Sequence, residues 1–254
     1  MPISTNLTSL EPAADRLKKS IKLLSCGYSV KNICPGGEID VYPWDSEVSA
    51  FMQARLKAGT SSLRTLFEVF GRVTRLKAEQ VDLFVASEVT SILLFSRALA
   101  YDSFISYDAE CPACHHTSSE KIEIPRELEK VGEKKPDYAG YDDFTLPLAK
   151  DVIRLRPLLV QDELAIENNK TLSELMVRLS AGIISVNGGK PDSAQELATY
   201  LLAVHPLDIE WLAARQQEQE PSLNPEIKHK CDKCGTAFSK VLTLNTDFFR
   251  STRS

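Results

Sequence analysis

Four of the six cysteines fall into two short groups, Cys111-Pro112-Ala113-Cys114 and Cys231-Asp232-Lys233-Cys234-Gly235. A C-x-x-C turn aims two sulfurs at one point, and four soft thiolates brought together suit a tetrahedral Zn²⁺. Independent thiol pairs, or a thioredoxin-like redox motif, are the competing readings. The βαβ surroundings of a redox motif are missing around both groups. Cys111, Cys114, Cys231 and Cys234 are therefore the expected ligands of one zinc per chain, and four sulfurs leave no open position for chemistry. His115, His116 and His229 lie beside the groups; any of them could replace a sulfur, support a thiolate through a hydrogen bond, or face water. Cys34-Pro35-Gly36-Gly37 looks like half of another such group, but Cys26 is wrongly spaced to complete it, and both are expected as ordinary thiols.

The segments that must position these sulfurs read as strands. Ser103–Ala109 enters the first group and Glu120–Ile124 leaves it; Glu226–Lys230 and Lys240–Leu244 flank the second. Strand, knuckle, strand occurring twice is the arrangement of a zinc ribbon, here split by residues 115–230. Loop-closure cost grows slowly with length, so such an insertion is tolerable. The expected fold class is α+β: a split zinc ribbon of two knuckled β-hairpins, with a large mostly helical insertion and a helical N-terminal region. The implied divisions are an N-terminal arm and extended region (1–45), a helical region (46–102), the first knuckled hairpin with additional strands (103–160), the helical insertion (161–225), and the second knuckled hairpin with a C-terminal tail (226–254).

Within these divisions, Met1–Ala13 reads as a polar arm. Leu17, Ile21 and Leu24 recur at helical spacing, predicting a short amphipathic helix over Ala14–Tyr28. Glu38–Tyr42 is a short extended piece. Asp45 or Ser46 can cap a helix to about Lys57, stopped by Gly59, and Thr60 or Ser61 opens another with Leu63, Leu66, Phe67, Phe70, Val73 and Leu76 on one face. That face suits a core or a subunit interface. Val81–Tyr101 is a buried helix by its apolar content. Arg126–Asp137 is densely charged and reads as a solvated helix or loop. Phe144–Leu148 and Val152–Leu159 are strand candidates. Gln161–Ile184 is helical, with a fresh start at the capping-box spacing Thr171-Leu172-Ser173-Glu174. A strand then meets a tight turn at Asn187-Gly188. Two more helices follow, one capped by Asp192 or Ser193, the other introduced by Pro206 and Asp208.

A formal net charge of −5 argues against a chain whose main task is holding nucleic acid. A local basic cluster does surround the second hairpin: Lys228, His229, Lys230, Lys233, Lys240, Arg250 and Arg253. It supports an alternative reading, a zinc-ribbon nucleic-acid-binding or transcription-associated factor. Exposed aromatics interleaved with the bases, which single-strand binding favours, are missing. A docking surface for an acidic protein explains the cluster as well. Cysteines kept as thiols for a metal point to a reducing compartment. No apolar run is long enough to span a bilayer, and the first residues lack the core of a signal peptide. No Gly-rich phosphate loop, H-E-x-x-H or G-x-S-x-G pattern occurs, so no small-molecule substrate or catalytic residue is expected.

The order of features is itself informative. Ile92-Leu93-Leu94-Phe95-Ser96-Arg97 leads to a strand and Cys-Pro-x-Cys; a charged stretch and the Ile-Arg-Leu-Arg strand Ile153–Arg156 follow. A helical block with Ile-Ser-Val-Asn-Gly, then Cys-x-x-Cys-Gly, a strand and Asp247-Phe248-Phe249 complete the series. Over roughly residues 60–250 this arrangement resembles the baseplate hub protein family of T-even-like contractile-tailed bacteriophages. The knuckles and the terminal aromatic pair are the specific parts. The resemblance implies a non-enzymatic structural component of the virion, in the tail baseplate and assembled in the host cytoplasm, whose partners are other baseplate and tail proteins. Contact elements would then be the helices at Leu63–Leu76 and Asp208–Ala214, the termini, and Phe248 and Phe249 as anchors.

Overall fold

Two apolar stretches with different partners organise the chain in the computed structural model, which describes residues 17–241 apart from 102 and 170–172. The architecture is mixed α+β, with eight α-helices and small antiparallel sheets among the described residues. No helix among them is long and apolar enough to cross a membrane.

The first core grows from the helix expected to be buried. It runs Ala86–Ala100, and Val89, Ile92, Leu93 and Leu94 are all but inaccessible. Against it lies helix Ser62–Thr74, on which Ser46–Lys57 and the short Ala78–Val81 pack in turn. In order these four are α1 (46–57), α2 (62–74), α3 (78–81) and α4 (86–100). The starts of α1 and α2 follow from the capping residues read in the sequence: the Val48 amide donates to Asp45 Oδ1 at 2.9 Å and the Arg64 amide to Ser61 Oγ at 3.2 Å. Gly59, at φ 79°, ends α1 as expected. Phe67, Phe70 and Val73 of the α2 stripe are buried, and the Phe70 ring meets Phe84 edge-on with centroids 5.0 Å apart. The stripe serves this chain's own core.

Among the described residues, the N-terminal helix expected over Ala14–Tyr28 does not continue past Leu17; residues 14–16 lie outside them. Lys19–Lys22 is strand β1, paired antiparallel with β2, Glu38–Val41, so that Ile21 faces Ile39. Cys26 and Gly27 take left-handed φ of 54° and 65°, which a continuing helix forbids. Leu17, counted on the helix face, is exposed. Pairing with a segment outside the local window outweighs a three-residue periodicity.

The first hairpin, β3 (Phe104–Glu110) and β4 (Thr117–Glu123), roots in this first core through Ile105, Ile122 and Ile124. Beyond it the charged stretch is neither helical nor a free loop. Leu128 is buried, β5 (Lys130–Val131) pairs with β9 (Ser222–Leu223), and the Lys134 amide donates to the Leu24 carbonyl at 2.8 Å. Backbone hydrogen bonds to distant segments hold it, which side-chain charge does not reveal.

The second core joins the expected strands to the helical insertion. Strands β6 (Asp142–Thr145), β7 (Val152–Leu155) and β8 (Ile183–Val186) form one antiparallel sheet with β7 central. Helices α6 (Glu174–Gly182), α7 (Ala194–Ala203) and α8 (Pro206–Gln219) pack around it, whereas α5 (Val160–Asn168), which precedes them, turns Val160 and Leu164 into the first core. Ile153, Leu155, Leu179, Leu197, Leu201, Ile209 and Leu212 pack together beneath the sheet. So the strands after the first hairpin belong with the insertion. Ser193 caps α7, accepting from the Glu196 amide at 3.1 Å; Ser173 caps α6, two residues beyond the Thr171 position, which lies outside the described residues. The turn at Asn187 and Gly188 has φ of 51° and 78°, as hairpins of this type require.

One buried carboxylate locks the second unit. Asp208, wholly inaccessible, accepts the Leu148 and Ala149 amides at 2.8 and 2.9 Å. Asp208→Ala takes the carboxylate from these two part-buried amides, and hydrogen bonds to a charged group contribute about 1.5–3 kcal/mol each. A loss of about 3 kcal/mol or more in urea unfolding is expected. A change below about 1 kcal/mol would show that water replaces the carboxylate.

Candidate metal centre

The second hairpin pairs β10 (Glu226–Lys230) with β11 (Ala237–Val241). Its tip and that of the β3–β4 hairpin are built alike. In each, the amide of the first cysteine donates to the carbonyl five residues on: Cys111 to His116 and Cys231 to Thr236, both at 2.9 Å. The fifth residue of each tip, His115 or Gly235, donates back to the first cysteine's carbonyl at 2.9 and 2.8 Å. Both stand in the left-handed region, at φ 55° and 74°. Gly235 meets that demand without strain, whereas His115 is one of the side chains that tolerate it.

These tips meet. The sulfurs of Cys111, Cys114, Cys231 and Cys234 all lie within 4.8 Å of one another and could hold a metal ion. Cys111 Sγ is 3.6 Å from Cys234 Sγ, and Cys114 Sγ is 3.6 Å from Cys231 Sγ, although the partners are 123 and 117 positions apart. A tetrahedron with metal–sulfur bonds of about 2.3 Å has edges of about 3.8 Å, so the separations fit such an ion. Cys111 and Cys231 are buried, Cys114 is half-buried and Cys234 exposed.

The sulfurs are not equivalent electrostatically. The Thr236 hydroxyl, 3.2 Å away, and the Thr236 amide bring the Cys234 thiol down to about 6. At Cys114 the His116 amide acts in the same direction, but burial and the three neighbouring sulfurs outweigh it and raise the thiol to about 12. Four thiolates this close repel one another, and a central cation is what lets all four ionise.

The histidines beside the knuckles serve other purposes. His115 Nδ1 is 2.9 Å from Glu110 Oε1, on an exposed ring. His229 lies in the seam between the hairpins: its Nε2 is 3.0 Å from the Tyr107 hydroxyl, and its ring stacks on Phe238 with centroids 5.3 Å apart. Lys240 Nζ donates to the Asp108 carbonyl across the same seam. Tyr107, Phe238 and Lys240 were not legible as seam residues, because strand alternation tells which side chains share a face but not what meets it. The basic cluster is correspondingly divided. Lys228, Lys230 and Lys233 are exposed, while His229 and Lys240 hold the hairpins together. Arg250, Arg253, Phe248 and Phe249 lie outside the described residues.

The remaining thiols stay apart from the centre. Cys34 is buried in the first core, where desolvation raises its thiol to about 11, and Cys26 Sγ donates to the Lys134 carbonyl at 2.9 Å. Both are ordinary thiols in the described structure.

Two further acidic residues are withdrawn from solvent, Glu88 fully and Glu220 in part. Glu88 on α4 accepts the Ser25 amide at 3.0 Å and the Ser25 hydroxyl at 2.8 Å; desolvation raises its carboxyl to about 7. Glu220 accepts the Leu158 amide at 2.8 Å and the Ser87 hydroxyl at 2.9 Å, and desolvation raises it likewise to about 7. The position of Glu88 four residues before Ile92, on the apolar face, was the available signal.

Comparison with protein-family models, with curated proteins and with solved structures gives no match for this chain.

Proposed function

We propose that the chain is a structural component of a contractile phage tail baseplate. In this reading its four cysteines bind one Zn²⁺ and make a split zinc ribbon that clasps the two hairpins. The observation that carries the metal assignment is the convergence of four sulfurs from hairpins at opposite ends of a long insertion. Their separations match a tetrahedral zinc site, and an all-sulfur set fills the coordination sphere, so the ion's role is to hold. The baseplate assignment is supported by the order of motifs from Ile92 to Phe249. It makes the chain a non-enzymatic virion protein whose partners are other tail proteins. The helices first considered as contact elements, α2 and α8, bury their apolar faces inside this chain, which leaves the exposed ribbon as the better-suited contact surface.

Metal analysis of protein purified at neutral pH is expected to give one zinc per chain; iron, or no metal, would overturn that assignment. Protein mass spectrometry of purified contractile tails is expected to recover the chain with the baseplate proteins. Its absence from particles would remove the baseplate role and leave the zinc intact.

The second reading, nucleic-acid binding by the ribbon, is favoured by exposed Lys228, Lys230 and Lys233. Titration with DNA and RNA separates the two. Phosphate contacts by three lysines would make affinity fall by roughly tenfold or more between about 50 and 200 mM salt. No measurable binding is the expected result.

A further inference from the structure

We infer that the cysteine tetrad is also an oxidation site, at which a peroxide converts it into two disulfides that cross between the hairpins, Cys111–Cys234 and Cys114–Cys231. The inference rests on the metal-centre reading only in requiring four sulfurs at one point; it does not depend on which metal they hold.

Three observations carry it. Both sulfur contacts at 3.6 Å run from one hairpin to the other. Each pair joins a sulfur that solvent reaches, Cys234 or half-buried Cys114, to one that is buried, Cys111 or Cys231. The oxidant thus has an entry point in each pair, and a resolving thiolate waits behind it. Finally, the hairpins are held in register apart from the sulfurs, by Tyr107 on His229 and Lys240 on the Asp108 carbonyl, so the partners stay aligned while the metal leaves.

The chemistry balances for hydrogen peroxide as the named oxidant. The accessible thiolate attacks one peroxide oxygen; the O–O bond breaks, an S–OH group forms and hydroxide departs. The buried thiolate then attacks that sulfur, forming the S–S bond and expelling a second hydroxide. Each pair loses two electrons and each peroxide gains two. Two peroxides therefore yield two disulfides and four hydroxides, which take up four protons as water, and the metal leaves as a free dication. Within-knuckle bonds, Cys111–Cys114 and Cys231–Cys234, would satisfy the same electron count but leave the hairpins unlinked. Cross-hairpin bonds keep the clasp shut after the metal has gone.

The full-length reduced protein, its metal content measured beforehand, is treated with hydrogen peroxide while a chromogenic chelator reports metal release. Remaining thiols are then blocked and the unreduced protein is digested with trypsin. Cleavage after Lys230 and Lys233 separates Cys231 from Cys234, whereas Cys111 and Cys114 share the peptide ending at Lys121. The expected product is that peptide bonded to both the Cys231 and the Cys234 peptides, with two disulfides formed per metal released. A Cys111/Cys114 peptide that is internally oxidised and linked to nothing overturns the inference. Pair assignment comes from two double variants. Cys114→Ser with Cys231→Ser retains the 3.6 Å pair and should cross-link; Cys114→Ser with Cys234→Ser, which leaves only the two buried thiols, should do so at least about fivefold less, because no exposed sulfur remains for the oxidant and disulfides demand narrow geometry. Equal yields would overturn the pairing. Should a variant fail to fold, the wild-type digest still decides between crossing and within-knuckle bonds. Cross-links in a protein that carried no metal would end the zinc reading and leave this one standing.

Discussion

Cys231→Ser is expected to abolish binding of the proposed zinc and to loosen the two hairpins, which stay aligned at the Tyr107–His229 seam, while sparing the helices. The substitution puts a hydroxyl in place of a buried sulfur, and three sulfurs no longer close the tetrahedron. Structural zinc sites in small domains contribute about 10–16 kcal/mol of apparent binding energy, all of it folding energy there. This chain differs, because both apolar cores assemble from residues that do not touch the site. What depends on the metal is local. Two-stranded hairpins are marginal alone, and β10–β11 carries only partly buried side chains along both strands. Its anchors are the seam at Tyr107 and His229, and Ile227 against the first core.

A loss on the order of 5 kcal/mol in the local stability of the hairpins is therefore expected, with a chelator reproducing the effect in the wild type. Hydrogen exchange resolves it: protection should fall across 104–123 and 226–241, without being lost, and persist unchanged through α2, α4 and the β6–β7–β8 sheet. Cys26→Ser, changing a thiol outside the tetrad, should keep its zinc. Unchanged hairpin protection after complete metal removal would show that the seam alone holds the ribbon.

The ease with which the tetrad is read, against the difficulty of the rest, has a physical basis. C-x-x-C is a local code: the turn itself aims the sulfurs, so four ligands announce themselves. Helix starts are equally local, since Asp45, Ser61 and Ser193 each bond an amide only three residues away. What depends on distant pairing was read less well. Ile21 has helical spacing yet pairs with Ile39, and Lys130–Val131 is charged at its edges yet pairs with Ser222–Leu223. The strand candidates Phe144–Leu148 and Val152–Leu159 overlap the observed strands 142–145 and 152–155 only in part, and their membership in the second sheet is decided by Ile183–Val186, a partner that their own composition does not name. Buried acids are the hardest case. Nothing in the residue type tells Glu88, whose two oxygens are satisfied by Ser25, from the solvated acids around it.

Glu88, fully buried, and Glu220, half-buried, make the fold lose stability as pH rises. Glu88 is 1% exposed, with a carboxyl raised from 4.5 to about 7 by desolvation, against which the Ser25 and Leu24 amides and the Ser25 hydroxyl pull downward. The groups around it are the thiols of Cys26 and Cys34. The folded state therefore binds this proton more tightly than the unfolded chain does. Linkage then fixes the sign: where the folded state holds more protons, unfolding free energy decreases with increasing pH. The effect is absent below about 4.5, develops between 4.5 and 7, and is complete above 7, where ionised Glu88 costs about 3 kcal/mol relative to the acid form. Glu220 acts in the same direction over the same window, beside Glu163 and Arg178, and contributes less because the residue is only half-buried and solvent screens it. Acid also protonates the thiolates that would hold the proposed zinc, an opposing effect that the wild type and a Glu88 variant share. Comparing the two cancels it. Glu88→Gln removes the titration, so the difference in stability between pH 5.5 and pH 8, measured by urea unfolding, should move by about 2–3 kcal/mol toward greater relative stability at pH 8. An identical pH profile in wild type and variant would mean that water reaches the carboxylate and that its burial between α4 and the Ser25 loop does not hold in solution.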